Sequence, residues 1–330
     1  MQLERFDPAT NAGPVRVCHE IHLACLPLDE PGMPPASYRS FAGWMTFGWT
    51  EDPSEAWLAR DANGQACGWY LLTLYERENR HAAHLRAELY PSQRRHGLGT
   101  ALVEHAAERA RRAGRRLLMG ESREGSPGEA FALALGAKRG LTEVNRMLRP
   151  GSVPPGHLAR LRESAEPAAS GYSLLPWEGL VPEDRLAAVA AVYGAFADAP
   201  REPGQEPQIW DAERVRQDNV RVAAQGLRLY VVAAQQDRTG ELAAFTQLGV
   251  DPVTPEWGWQ EITVVTRPHR GHRLGLLIKI AMMEILAKRE PQLTHIITGN
   301  ADGNEHMIGI NEALGYEVFS RWPAWELDIG

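Results

Sequence analysis

The apolar positions fall into two kinds of run, and the two kinds recur in the same order along the chain. VRVCHEIHLACL places Val17, Ile21 and Leu26 near one face of a helix, whereas AWLAR, WYLLTLYE and AHLRAELY read as short strands set off by turn residues. Leu98, Ala101, Leu102 and Ala106 return to helical spacing, and that helix is predicted to stop near Gly114. Further on, RLAAVAAVYGAFADAP predicts a helix, and LYVVAAQQ, AAFTQLGV and QEITVV predict strands. The apolar run LGLLIKIAM then opens another helix.

The recurrence is an internal repeat. RRHGLG at residues 94–99 returns as RGHRLG at 270–275. Gly64 and Gly240 each sit in a turn that leads into a strand. The apolar stretch at 117–119 matches 295–298, and a helix ending in Ala-Leu-Gly closes at 134–136 and again at 313–315. Four landmarks in one order at nearly constant offset predict two homologous halves. The expected division is a domain over 1–150, a Pro-, Gly- and Ser-rich linker over 151–171 and a second domain over 172–330. A short helix at HLARLRE interrupts the linker. The predicted fold class is α+β, a mixed α/β arrangement. Each half is a mixed, mostly antiparallel sheet flanked by helices.

Composition narrows the function classes. The net charge of −7 supplies no global basic field, so neither nucleic acid nor an anionic membrane is an expected partner. Three cysteines, Cys18, Cys25 and Cys67, show no zinc or disulfide spacing and point to a reducing compartment. No apolar run has the length of a membrane span, and the start lacks a signal-peptide pattern, so a cytoplasmic monomer or homodimer is expected.

The repeated motif carries the chemistry. A strand ends, a glycine-bearing turn follows, and a helix begins. The first-turn N–H groups of a helix lack intrahelical partners and carry the positive end of its dipole. Gly97 and Gly99 leave those groups open, and Arg94, Arg95 and His96 add charge beside Leu98 and Thr100. In the second half the same stretch is Arg270, Gly271, His272, Arg273, Leu274 and Gly275. This is a cradle for a pyrophosphate. The spacing is neither that of a P-loop nor that of a dinucleotide fingerprint.

Arg94-x-x-Gly97-x-Gly99 resembles the [RQ]-x-x-G-x-[GA] motif of the GNAT N-acetyltransferase superfamily. VVTRPHRGHRLGLLIKIAM followed by TGNADGNEHMIGINEALGYEVF resembles the second half of bacterial two-domain members, a group similar to mycothiol-synthase-like acetyltransferases. The resemblance implies two tandem GNAT folds and acetyl-CoA, or coenzyme A, as co-substrate with no metal. It also implies main-chain contacts to the thioester at Leu89 and Val265, and cofactor contacts at Asn304 and Asn311. Each half departs from the pattern: Arg273 replaces a motif glycine, and the first half lacks a counterpart of Asn304. The tyrosine that the family places as acid falls at Ala132 and Asn311 here.

Acetyl transfer to an amine needs a base, oxyanion donors and a stabilised thiolate. Glu261 is the candidate base, sharing a strand face with Val265 unless a bulge intervenes. Glu88 and Tyr316 are further catalytic candidates. Asp29 and Asp198 follow the early helix of each half, where they could attract an ammonium or cap a loop. His269 and His272 lack partners at zinc spacing, so no metal is expected. Trp257 and Trp259 read as packing residues or as a substrate platform. The expected activity is acetyl-CoA-dependent N-acetylation of a primary amine, of a small molecule first and of a peptide as the nearest variant. The alternative is a catalytically silent acyl-CoA-binding sensor.

Overall fold

A computed structural model describes residues 1–48, 52–202 and 204–330; Trp49, Thr50, Glu51 and Pro203 lie outside the described residues. The first half runs β1 (Gln2–Phe6), α1 (Ala12–Asp29), α2 (Tyr38–Phe47), β2 (Ser54–Arg60), β3 (Ala66–Leu74) and β4 (Ala82–Leu89). It continues with α3 (Leu98–Arg112), β5 (Leu117–Glu121), α4 (Pro127–Ala134) and β6 (Lys138–Leu148). Then follow α5 (His157–Ala165), β7 (Tyr172–Glu178), α6 (Leu186–Tyr193), α7 (Ala212–Gln225), β8 (Arg228–Gln236), β9 (Leu242–Val250) and β10 (Trp257–Val265). The chain ends with α8 (Leu274–Arg289), β11 (His295–Ala301), α9 (Glu305–Leu314) and β12 (Glu317–Asp328). The order repeats as the hydrophobic pattern requires, and the strand pairing in each half is mixed and mostly antiparallel.

The chain divides into two compact units. Unit 1 comprises Met1–Thr142, Glu202–Glu206 and Arg321–Gly330; unit 2 comprises Glu143–Arg201 and Pro207–Ser320. In unit 1, β1 to β4 pair antiparallel in sequence order, β4 pairs parallel with β5, and Ala324–Asp328 of β12 pair antiparallel with β5. In unit 2, β7 to β10 pair antiparallel, β10 pairs parallel with β11, and β11 pairs antiparallel with Glu143–Leu148 of β6.

Each sheet is therefore finished by a strand from the other half of the sequence. A cut at 150 and a second domain ending at 330 do not describe this division. Residues 143–148 supply buried Val144, Met147 and Leu148 to unit 2, and 321–330 supply buried Trp325 and Ile329 to unit 1. Apolar alternation along a strand marks it as a strand without saying which sheet it joins. Residues 151–171 are structured: Leu158, Leu161 and Ala165 of α5 pack into the core cluster that holds Leu277 and Ile280 of α8.

Alternation places the helices. Trp69 and Leu71 of β3 face α1 and α2 beside Ile21, Phe41 and Met45, while Tyr70 and Leu72 face α3 beside Leu102 and Ala106. In unit 2, Val232 and Ala234 face α8, while Val231 and Ala233 face α6 with Val189 and Tyr193. The functional loops lie at the ends of β4 and β10, between these layers.

Because β12 finishes unit 1, Trp325→Ala, which removes a 5% exposed ring and its hydrogen bond to Ser122 Oγ, is expected to cost roughly 3–5 kcal/mol in urea unfolding. A change under about 0.5 kcal/mol, the scale of an ordinary surface substitution, would show that the strand is not integral to unit 1.

Candidate functional site

The two parallel strand pairs come apart. β4 and β5 pair from Ala82↔Leu117 to His84↔Met119 and no further, while β4 stays paired with β3 through Leu89↔Gly68. β10 and β11 pair from Trp257↔His295 to Gln260↔Thr298, while β10 stays paired with β9 through Val265↔Ala244. Each unit thus holds a gap flanked by one edge of its motif strand, with the motif turn and a helix start at its end.

Both helix starts are open. No side chain caps α3 or α8, a state shared with α1, α5 and α6, whereas Ser37, Ser126, Asp211 and Asn304 cap α2, α4, α7 and α9; only α3 and α8 follow a motif turn at the end of a parting strand. First-turn N–H groups left without a side-chain acceptor are what an anion needs. The two turns share one backbone path. Arg95 and Gly97 have φ of 66° and 79°; Gly271 and Arg273, at the matching positions, have φ of 86° and 56°. Arg273, in place of a motif glycine, thus keeps the same loop path, and each turn carries one strained arginine, costing roughly 1–2 kcal/mol. Gly99 and Gly275 serve packing: an added Cβ would meet Phe131 at 3.2 Å in unit 1 and Ile310 at 3.1 Å in unit 2.

The motif arginines point elsewhere than a phosphate. Arg94 donates to Asp29 Oδ1 and Oδ2 at 2.7 and 2.6 Å and to the Leu89 carbonyl at 3.2 Å. Arg270 repeats this, donating to Asp198 Oδ2 at 2.6 Å and to the Val265 carbonyl at 3.3 Å. Each arginine therefore ties its turn to the strand end and to an aspartate behind the early helix. Bonds from Arg270 and Arg267 hold the Asp198 carboxyl below its usual range. Asp29 and Asp198 are committed to these braces, which corrects their reading as ammonium attractors. Arg95, His96 and Arg273 are exposed around the helix starts. Thr100 is exposed on the first turn of α3, and Leu98 and Leu274 open the two helices. His272 Nδ1 meets the Ala168 carbonyl at 2.9 Å, and His269 Nδ1 meets Tyr172 Oη at 2.9 Å.

The two carboxylate candidates differ. Glu88 accepts from His22 Nδ1 at 3.1 Å and from Arg86 at 3.0 Å, and Arg86 also lies 3.6 Å from Glu30 and stacks over Trp44. Burial pushes Glu88 up, but Arg86 and the His22 bond outweigh it, so the carboxyl lies below its ordinary range. Glu261 occupies a bulge. The pairing steps from Gln260↔Leu248 to Ile262↔Gln247, leaving Glu261 as the extra residue, and the Gln260 amide donates to Thr246 Oγ1 and the Gln247 carbonyl. The simple alternation with Val265 is thereby broken. Solvent reaches Glu261, yet the surrounding protein desolvates it and pushes its carboxyl up. Arg221 opposes that rise and Asp218 adds to it.

Tyr316 is 4% exposed, with its ring face 4.8 Å from Lys279 Nζ, so it supports packing rather than reaching the gap. Asn311 is fully buried; its Oδ1 accepts from Lys279 Nζ at 2.5 Å and its Nδ2 donates to Asn300 Oδ1 at 2.7 Å. Asn304 caps α9 through Met307 N at 3.4 Å. Trp257 stacks on His295 at 4.4 Å, at the end of β10 away from the gap, and Trp259 is half-buried on the same strand. Sequence reasoning missed Lys279, His22 and Arg86. The usable signals were a single lysine inside LGLLIKIAMM and a histidine one turn from both Cys18 and Cys25 on a buried helix face.

Each unit thus pairs an uncapped helix start with a parted strand pair, and comparison with known proteins places this fold. The acetyltransferase (GNAT) family matches residues 17–126. A tandem GNAT protein from the clavulanic acid biosynthesis pathway, solved without AcCoA, is 27% identical; the alignment covers 100% of this chain and 98% of that one, with a TM-score of 0.79. A GCN5-related N-acetyltransferase from Sphaerobacter thermophilus (17% identity, 99% and 95% covered, TM-score 0.67) shares the fold. So does a GNAT-family acetyltransferase from Colwellia psychrerythraea (11%, 99% and 100%, 0.58). No curated protein matches the chain. Residues 17–126 match the family's acetyltransferase domain, and the chain as a whole is similar in fold to a tandem GNAT protein. No described helix is long and apolar enough to cross a membrane, and no cluster of three or more metal-ligating side chains occurs among the described residues.

Two measurements check this geometry. In a double-mutant cycle, Arg94→Ala and Asp29→Ala should couple by about 1 kcal/mol, reduced from the buried-pair range by partial exposure. The more exposed Arg270–Asp198 pair should couple less; additivity at Arg94–Asp29 would refute the brace. Burial also drops the Lys279 ammonium to about 7. The unfolded chain then holds one more proton than the native one between that value and the ordinary lysine range. Stability relative to Lys279→Met should rise with pH across that window, by up to about 1.4 kcal/mol per unit, and be flat below it. Urea unfolding at stepped pH reads this, and a flat difference throughout would show that Lys279 is not desolvated.

Proposed function

We propose that the protein transfers acetyl from acetyl-CoA to a primary amine of a small molecule, with the chemical step in unit 2. The observation that carries the reading is the uncapped helix start beside a parting strand pair, met in unit 2 by Glu261 at the bulge of the motif strand. The pyrophosphate rests on the first-turn N–H groups of α8, near Gly271, His272, Arg273, Leu274 and Gly275. The thioester lies along the gap beside Val265. Glu261 takes the proton of the attacking amine, a role suited to a carboxylate shifted toward neutral pH. Water relays that proton where the bulge leaves Glu261 short of direct contact.

Unit 1 supports a second reading for itself, that of an acyl-CoA-binding module without turnover. Its cradle around Arg95, His96, Gly97, Leu98, Gly99 and Thr100 is equally open. Glu88, however, is tied to Arg86 and His22 and kept ionised, and Ala132 offers no donor. No metal takes part in either reading.

The experiment follows free-thiol release from acetyl-CoA across a panel of amines. Glu261→Gln should lower kcat about 10²–10⁴-fold and leave the acetyl-CoA KM nearly unchanged, the effect of removing a general base. The acid limb of kcat should lie above the ordinary carboxylate range and vanish in that variant, while Glu88→Gln changes kcat much less. Binding of acetyl-CoA without turnover on any amine would favour the sensor.

A further inference from the structure

Lys279 is 1% exposed on α8, and no carboxylate among the described residues pairs with it: its Nζ donates to Asn311 Oδ1 and faces the Tyr316 ring. Placing an ammonium there is costly, because burial removes its hydration and an amide oxygen returns only part of it. The other half of the chain shows that the fold has no need of it. The sixth residue of α3, matching Lys279 in α8, is Val103, also buried. Four residues before the glycine that closes each Ala-Leu-Gly helix stands Asn311 in one half and Ala132 in the other. The residue after that glycine is Tyr316 in one and Ala137 in the other. One architecture is thus built once with an apolar filling and once with a buried cation and its amide partner.

The polar version has a direction. An ammonium has donors only, so the Asn311 atom facing Lys279 is the oxygen, and its NH₂ must face the other way. That NH₂ donates to Asn300 Oδ1, which fixes the Asn300 amide in turn and leaves the Asn300 NH₂ as the outer end of the chain. Asn300 is half-buried on β11, two residues beyond Thr298, where the pairing with β10 stops. Beside Asn311, Ile310 packs against Gly275 at the start of α8 together with Val265. The chain of donors therefore runs from a buried positive charge to the wall of the unit 2 gap, next to the anion-binding helix start.

We propose that Lys279, Asn311 and Asn300 form a thiolate-holding relay for coenzyme A in unit 2. Asn300 N–H meets the sulfur, and Asn311 and Lys279 act as positioning residues that aim and polarise it. The inference rests on acyl-CoA occupying the unit 2 gap. In the transfer, the amine nitrogen forms the new bond to the carbonyl carbon and the C–S bond breaks with its electron pair going to sulfur. The amine proton leaves through Glu261 or water, and the thiolate is held by the Asn300 N–H until it takes a proton on release. No oxidant or metal enters the balance.

The test needs no acceptor amine. Coenzyme A and desulfo-coenzyme A are titrated into the full chain by calorimetry, in buffers of different ionisation heat at a pH below about 7, where Lys279 keeps its charge. The thiolate ultraviolet absorbance is followed in parallel. Coenzyme A should bind at least about tenfold tighter than the desulfo analogue, the scale of one charge-assisted hydrogen bond. It should also release a proton and show thiolate absorbance. Lys279→Met, Asn300→Ala and Asn311→Asp should each abolish the sulfur preference and the proton release while keeping desulfo-coenzyme A affinity. Lys279→Met should fold as well as the wild type, as Val103 indicates, and Asn311→Asp sets a carboxylate beside the ammonium, so misfolding does not mask the result. Equal binding of both ligands, or a sulfur preference that survives all three variants, overturns the relay alone. Failure of both ligands to bind overturns the relay together with the reading it rests on.

Discussion

A parallel pair of strands that pairs for three or four residues and then separates is the constraint on which the rest depends. Parting leaves main-chain groups on the facing edges without ladder partners, and such groups are tolerable only where solvent or a ligand can reach them. The open starts of α3 and α8 stand at the ends of these gaps. The arginine braces to Asp29 and Asp198 hold each turn against its strand end, so that helix start, gap and strand carbonyl keep fixed relations. What the open helix starts offer an anion is thus main-chain N–H groups, and the conspicuous charged side chain of the motif serves to keep that backbone in place.

Much of this was legible in the sequence. The two halves, the order of their elements and the location of both cradles follow from hydrophobic period and from RRHGLG and RGHRLG alone. The exchange of β6 and β12 was not legible. A strand with an alternating face satisfies any sheet edge of suitable register, and the choice between edges rests on contacts distant in sequence. The domain boundary was misplaced for the same reason, and no reading of Pro and Gly content could have corrected it.

The site was legible in its residues more than in their roles. Arg94 and Arg270 were found but read as phosphate ligands, because a charge beside an anion site suggests attraction and the aspartates that neutralise it lie far off in sequence. Glu261 was found, while the bulge that sets it apart from Glu88 became visible only as a step in strand register. Arg273 was read as a departure from the glycine pattern. The paired φ values show one left-handed path occupied by glycine and arginine in exchanged positions, a case of geometry kept while residue types trade places.

A protein built of two copies carries its own control. Where both copies agree, as in the uncapped helix starts, the braced turns and the parted strands, the feature belongs to the fold itself. Where they differ at a matched buried position, the fold cannot be the cause, since the other copy manages without. Val103 shows that an apolar side chain fills this position at no electrostatic cost, while Lys279 fills it with a charge held by Asn311. At this pair of positions it is unit 2 that keeps the electrostatically costly arrangement, and the proposed site in that unit is what would give such a cost a use.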